Sequence, residues 1–296
     1  MKVGFIGIGL MGHGMAKNIV EKGNALTVMG HRNRKPVEDL LARGAKEAKT
    51  PAELARDCDL VFLCVTGTPQ VEELIFGENG ILAGITPGTI VADCSTTVPE
   101  STLKVCAAIE AKGGRFLDTP LSRTPKQAEE GKLAVMYGGD PALFEKIKPV
   151  VDCFADTVIH CGPVGAGHRV KLINNFLALG NAVVVCEATA LARRAGVDMQ
   201  GLYDVITAGG ADSVMFRRMM QNVLQGDDSA FQFTIRNIHK DLGYYMEMAA
   251  SLPALATMAE AARQNVTLAR LTGEDGSFGP RMYDAFCRLN GVEPRD

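Results

Sequence analysis

Three glycines at fixed spacing, Gly7-Ile-Gly9-Leu-Met-Gly12, stand between a short apolar run and a helical pattern. They leave the N-terminal part of the chain few folds to choose from. Lys2-Val-Gly-Phe-Ile reads as a strand, His13 to Lys22 as a helix ending at Gly23, and Ala25 to Met29 as a second strand. A GxGxxG string alone is weak, but between a strand and a helix each glycine has its own task. The first permits the tight turn, the second lets backbone approach a pyrophosphate, and the third lets helix and strand pack closely. The helix N-terminus then offers its free N–H groups to the phosphates. Gly7, Gly9, Leu10, Met11 and Gly12 are therefore the expected dinucleotide-binding turn.

The end of the second strand separates the two nicotinamide dinucleotides. An acidic residue there would hydrogen-bond the ribose 2′-OH of NAD. The chain instead reads Met29-Gly30-His31-Arg32-Asn33-Arg34-Lys35, with no acid before Glu38. His31, Arg32, Asn33 and Arg34 suit a 2′-phosphate, since guanidinium groups pair with phosphate oxygens through charge-assisted bonds. The cofactor is read as NADP(H), with NAD(H) as the alternative; a solvated basic loop would look the same in sequence.

Further strands are expected at Leu60–Val65, Thr89–Asp93, Arg115–Asp118 and Ala134–Gly138, separated by helical patterns such as Val37–Arg43 and Ser101–Lys112. Alternating strands and helices predict an α/β fold, a Rossmann-type doubly wound parallel sheet spanning residues 1–162. Ligands bind beyond the carboxyl ends of such strands. That places Val65 and Thr66, Ser95 and Thr96, and Ser122 and Arg123 around one mouth. The hydroxyls of Ser95 and Thr96 are candidates for holding cofactor or substrate oxygens, or else cap the helix that follows.

After Gly162-Pro163 the pattern turns helical almost to the end. One long helix is expected within residues 163–195, followed by an all-α C-terminal domain, 196–296. Its apolar character from Phe176 to Ala192 predicts burial on most faces, and with it a neighbouring subunit in a homodimer or homotetramer. Near its start lie Lys171, Asn174 and Asn175. Lys171 and Asn175, four residues apart, share one helical face with Asn174 beside them. A lysine and an amide against an apolar wall are what carbonyl and alcohol chemistry needs, a proton for the oxygen while carbon gives or takes a hydride. The alternatives are a snorkelling lysine and capping amides.

A net charge of −3 gives no reason to expect nucleic acid or a membrane surface as partner. No leader is read before the first strand, and no apolar run reaches a bilayer's width. The eight cysteines form no CxxC pair and no zinc spacing. They read as free thiols of a metal-free cytoplasmic protein.

These motifs together resemble the β-hydroxyacid dehydrogenases, the group of 3-hydroxyisobutyrate dehydrogenase and tartronate semialdehyde reductase. The resemblance covers nearly the whole chain. It rests on Val3–Gly12, Asp93-Cys-Ser-Thr96, Asp118-Thr-Pro120, Gly165–Asn175 and His239-Lys240-Asp241-Leu242. It implies that Lys171 is the catalytic lysine that donates a proton to the carbonyl oxygen and that Asn175 orients substrate. It further implies that Lys240 closes over the cofactor, and that Ser95 or Thr96 lies near nicotinamide and substrate. The implied substrate is a small anionic aldehyde or the matching hydroxyacid.

One departure stands out. Where most relatives have Ser-Gly-Gly, this chain has Ser122-Arg123-Thr124. An arginine there offers a positive fork to an anion, whether sulfonate or ordinary carboxylate, or else faces solvent beside the turn. Arginine at this position is similar to the sulfolactaldehyde reductase branch. Ala178 and the basic cofactor loop differ from that branch. Two other readings remain: an imine reductase, which normally lacks the lysine, and a non-catalytic dinucleotide-binding protein.

Overall fold

The computed structural model describes residues 1–295. Its first part alternates strand and helix: β1 (Lys2–Ile6), α1 (Gly12–Glu21), β2 (Ala25–Met29), α2 (Lys35–Ala42), β3 (Lys46–Ala48), α3 (Pro51–Asp57), β4 (Leu60–Leu63), α4 (Thr68–Phe76), α5 (Ile81–Gly84), β5 (Ile90–Asp93) and α6 (Pro99–Ala111). There follow β6 (Arg115–Asp118), β7 (Leu121–Ser122), α7 (Pro125–Glu129), β8 (Leu133–Gly138), α8 (Pro141–Val151) and β9 (Ala155–Gly162). The rest is helical: α9 (Ala166–Arg194), α10 (Met199–Thr207), α11 (Val214–Gln225), α12 (Ile235–Ser251), α13 (Thr257–Ala269) and α14 (Met282–Leu289). Packing divides the chain into two units, Met1–Lys171 and Leu172–Asp296, and the border falls inside α9.

In the first unit the strands run β3-β2-β1-β4-β5-β6-β8-β7, with β9 beside β8. The six strands from β3 to β6 are parallel, and their order is that of a dinucleotide-binding sheet. Strand β4, buried at all four positions, shows why such strands read as unbroken apolar runs: Leu60 and Phe62 face one core layer and Val61 and Leu63 the other. The expected all-parallel sheet needs one correction. β8 runs antiparallel to β6 and β7, because the chain continues in one direction from β6 through Pro120 to β7 and reverses only in the segment 123–132, where the five-residue α7 is too short to carry it across the sheet. Three strands carry no periodic signal in the sequence. β7 is only two residues long. β3 is three residues long, and β9 is an edge strand with exposed Ile159 and His160.

In the second unit, Leu179, Ala182, Val183, Cys186 and Ala190 of α9 enter a core with Met219, Ile238, Val266 and Tyr283. Ile173, Leu177, Val184 and Leu191 of the same helix are exposed, so burial on most faces does not hold within a single chain. Among the described helices α9 alone is long and apolar enough to cross a membrane by length and composition; its core residues give that apolarity a packing role. Helix α13 begins at Thr257 and is followed by a π-turn, Arg270–Glu274.

Candidate active site

Register sets Met29, Ile6, Leu63, Asp93 and Asp118 in one row across β2, β1, β4, β5 and β6. The loops that follow these residues therefore leave the sheet along one edge, where a parallel sheet binds ligands. Gly7 has φ +104°, and a Cβ on it would lie 2.2 Å from the Cys64 carbonyl oxygen; one on Gly12 would lie 2.0 Å from that of Gly7. Above Gly9 nothing comes within 4 Å. The turn closes on itself at its first and third glycines and leaves open space at the second, with α1 starting at Gly12. This fits a pyrophosphate lying on backbone N–H groups. Leu10 is exposed and Met11 half-buried beside it.

The basic loop differs from its expected form. His31, Arg32, Asn33 and Arg34 are all exposed, and Asn33 Oδ1 accepts the Lys35 N–H at 3.3 Å. Arg34, however, donates through both terminal nitrogens to Glu47, at 2.6 and 2.9 Å. Glu47 sits on β3, opposite Val28 of β2, and the Gly30 N–H also bonds it. The guanidinium holds this carboxyl below the usual carboxylate range. An acid is thus present at the end of β2, supplied by the neighbouring strand.

Ser95 is buried, and its Oγ accepts the Val65 N–H at 3.0 Å, tying the chain beyond β5 to the chain beyond β4. Its own N–H donates to Asp93 Oδ1 at 2.9 Å. The residue before α6 is Val98, with no side-chain cap, so neither Ser95 nor Thr96 caps that helix. Burial pushes the Asp93 carboxyl up, against the pull of His168 and Ser95. His168, fully buried, places Nδ1 2.9 Å from Thr97 Oγ1 and 2.7 Å from Thr102 Oγ1. Thr96 is half-buried and Thr66 exposed at the same edge.

Arg123 also departs from expectation. Its φ is +84°, the left-handed region in which glycine is at home and other side chains are strained. Its guanidinium is not presented as an open fork. It donates to the Lys132 carbonyl, to Asp156 Oδ1 at 2.7 Å and to Thr157 Oγ1 at 2.9 Å. The backbone keeps the shape of a glycine turn while the side chain is laid on β9 and on Lys132, the residue before β8. Ser122, half-buried, ends β7.

Lys171 follows from how α9 begins. Asp118, fully buried, accepts the Gly165 N–H at 2.7 Å and the His168 N–H at 2.8 Å. One carboxylate thus caps the first turn and interacts favourably with the helix dipole. This function of the Asp118-Thr-Pro motif is not visible in the sequence. One turn on, Lys171 is half-buried and its Nζ donates to the Leu121 carbonyl at 2.7 Å. That carbonyl directly precedes Ser122, so the ammonium is held beside the 122–124 turn.

In the second unit Asn175 is buried, and its Nδ2 donates to Asp241 Oδ2 at 2.6 Å. Asn174, exposed, donates to Asn175 Oδ1 at 3.3 Å. The other Asp241 oxygen lies 2.7 Å from Lys240 Nζ, a charge contact without hydrogen-bond alignment. Lys240 also rests over the Tyr244 ring, 4.8 Å from its centroid. Asp241 therefore fixes both the amide and the lysine, a positioning role that the sequence offered only as one letter of a motif.

All eight cysteines are free. Burial pushes Cys58 and Cys106 up to about 11 and Cys64 up to about 12, away from the thiolate that reacts. No group of three or more His, Cys, Asp or Glu among the described residues could hold a metal ion.

Comparison with known proteins gives this geometry its context. Residues 2–162 match the NAD binding domain of 6-phosphogluconate dehydrogenase, and residues 165–278 match the NAD-binding region of NADP-dependent 3-hydroxyisobutyrate dehydrogenase. The cytokine-like nuclear factor N-PAC of Xenopus tropicalis is 30% identical over 285 residues, 96% of this chain but 53% of that one. The chain thus spans about half the length of the N-PAC proteins it matches. The 2-(hydroxymethyl)glutarate dehydrogenase of Eubacterium barkeri is 32% identical over 247 residues, 83% of this chain and 82% of that one. The crystal structure of 3-hydroxyisobutyrate dehydrogenase from Salmonella typhimurium superimposes with TM-score 0.85 at 30% identity, over 98% of this chain and 99% of that one. With both halves matched in order, the chain belongs to the β-hydroxyacid dehydrogenase family of NAD(P)-dependent oxidoreductases.

Proposed function

We propose that the protein interconverts a small anionic aldehyde and its β-hydroxyacid-type alcohol, using NADP(H) in preference to NAD(H). The observation that carries this reading is the placement of Lys171, its Nζ donating to the Leu121 carbonyl at 2.7 Å on a helix whose first turn Asp118 holds. The bound dinucleotide supplies or accepts the hydride at carbon. In reduction, Lys171 passes a proton to the carbonyl oxygen as general acid, and in oxidation it takes one back. Asn175, its amide fixed by Asp241, orients the substrate oxygen. Ser95 and Ser122 add hydroxyls at the same sheet edge, with Asn174 next to the amide. Gly7 to Gly12 carry the pyrophosphate, His31 to Arg34 the ribose end, Val65, Thr66 and Thr96 the nicotinamide side, and Lys240 is assigned to cofactor binding.

A carboxylate is the anion we assign to the substrate. The sulfonate alternative draws on the resemblance at Arg123 and the Val170–Asn175 stretch, and the Arg123 guanidinium lies on Asp156 and Thr157. We place residues 1–162, 163–195 and 196–296 in cofactor, connecting and oligomerising roles. The exposed apolar residues of α9 support a homodimer or homotetramer, and the eight free thiols support a cytoplasmic home.

Steady-state oxidation of NADPH, then NADH, is the test, with tartronate, succinate and methylmalonate semialdehydes beside 3-sulfolactaldehyde. A carboxylate semialdehyde leading in kcat/KM with NADPH supports the proposal; 3-sulfolactaldehyde leading restores the sulfonate reading. The second reading, dinucleotide binding without turnover, is favoured by relatives named as nuclear factors, not as enzymes. NADPH binding with no turnover on any aldehyde or alcohol would establish it.

A further inference from the structure

The end of β2 holds a device that the absence of an acid in the linear sequence conceals. Arg34 and Glu47 meet through two parallel hydrogen bonds, 2.6 and 2.9 Å long, the geometry in which an arginine–carboxylate pair is strongest and most directional. The pair lies directly over Gly30. A Cβ on that residue would come 2.2 Å from Arg34 Nη1 and 2.5 Å from Glu47 Oε1. Gly30 is the first residue beyond β2, the place from which an acidic side chain reaches a ribose diol in this type of sheet. Here the position is kept free of a side chain, and the space is filled by an ion pair brought from either flank, Arg34 at the start of α2 and Glu47 from β3.

We propose that Glu47 and Arg34 set the choice between the two dinucleotides at this end of the site, with Glu47 as the carboxylate that β2 lacks and Arg34 as its mask. This rests on the cofactor reading above and deepens it. An unmasked carboxylate hydrogen-bonds the 2′-OH of NAD and repels the 2′-phosphate of NADP. Masked by a bidentate arginine, Glu47 has little charge to oppose a phosphate, and Arg32, exposed in the same loop, adds attraction. A 2′-phosphate can draw Arg34 from Glu47 towards itself, whereas a diol can accept the carboxylate. The pair therefore tolerates both dinucleotides and leaves the balance to two side chains.

Dissociation constants for NADPH and NADH, from quenching or enhancement of dinucleotide fluorescence, test this without reference to turnover. Glu47→Gln keeps the shape and removes the charge: NADPH should bind about tenfold tighter relative to NADH than in the unaltered protein. Arg34→Gln unmasks Glu47 and removes a cation, so the ratio should move the other way by about tenfold or more. Displacement by 2′,5′-ADP but not by 5′-AMP should follow the same changes, locating them at the ribose 2′ position. Ratios that stay within about twofold in both variants, while both dinucleotides still bind, overturn the inference and leave the cofactor reading standing. If the unaltered protein binds neither dinucleotide, the cofactor reading falls and this inference with it. The pair is solvent-exposed, and an unchanged melting temperature will show that each variant is folded.

Discussion

Two kinds of cation stand in this molecule, and they behave differently. Lys171 is carried by a helix whose start is pinned by Asp118, and its ammonium is held at the Leu121 carbonyl, next to the 122–124 turn. Arg34 and Arg123 lie in loops, and each has turned to a carboxylate from another strand, Glu47 on β3 and Asp156 on β9. A helix dictates which residues share a face, so spacing alone phases Lys171 with Asn175. A loop dictates nothing of the kind, and a fixed cation in it pairs with whatever acid the fold brings near. A basic residue in a motif is therefore a poorer guide to anion binding when its backbone is irregular.

The contrast can be broken most sharply at Lys171. Replacing it with Met should lower kcat by about a thousandfold while the NADPH dissociation constant stays within about twofold. Near-full turnover in that variant would remove the lysine from the chemistry and the helix from its privileged place. The anchoring of the helix is tested next. Asp118→Asn retains one acceptor and turns an NH2 towards a backbone N–H, which should cost about 2 kcal/mol of stability. A urea denaturation midpoint equal to that of the unaltered protein would mean that the cap is dispensable.

A smaller loss is expected from Asp241→Asn, about tenfold in kcat/KM with little change in melting temperature, because Asn175 and Lys240 lose their common partner. Equal activity would reduce Asp241 to a packing residue. On the same helix, burial first, then Arg263 and Arg270, lowers His239 from 6.5 to about 4. The unfolded chain therefore takes a proton at higher pH than the folded one. Stability due to neutral His239 is complete above about 6.5 and is lost as pH falls towards 4. Melting temperatures recorded from pH 7 to 4 should fall less steeply in His239→Gln; parallel curves would contradict the assignment.

The arginine side of the contrast is sharpened by Asp156→Asn. If the tether serves to brace the 122–124 turn, KM for the anionic substrate should rise by about threefold. Should KM fall instead, the freed guanidinium has become an anion clamp, and the reading of Arg123 from sequence was only latent.

How much of this was legible follows the same division. The glycine turn, the doubly wound strands and the phase of Lys171 and Asn175 all depend on neighbours within a few residues, and each stands where periodicity places it. Glu47 was not found because β3, Lys-Glu-Ala, is too short to show alternation, and without β3 there is no reason to pair residue 47 with the end of β2. Asp156 and Thr157 are not legible because β9 is an edge strand whose side chains past Ala155 are exposed or half-buried, with no clean alternation. The reversal of β8 is not legible because alternating elements argue for parallel strands, and the five-residue α7 between β7 and β8 looks in sequence like any other connecting helix. Asp118 and Asp241 read in the sequence only as motif letters, since a buried acid declares its task only through the N–H groups it meets.

The bare α-carbon of Gly30 has a consequence for engineering. The atoms a methyl group would meet there are the mobile ends of two long side chains, not backbone, so alanine should fit by pushing the ion pair aside. Ligand preference at this loop would then shift through a change of volume alone, with every ionisable residue of the protein still in place.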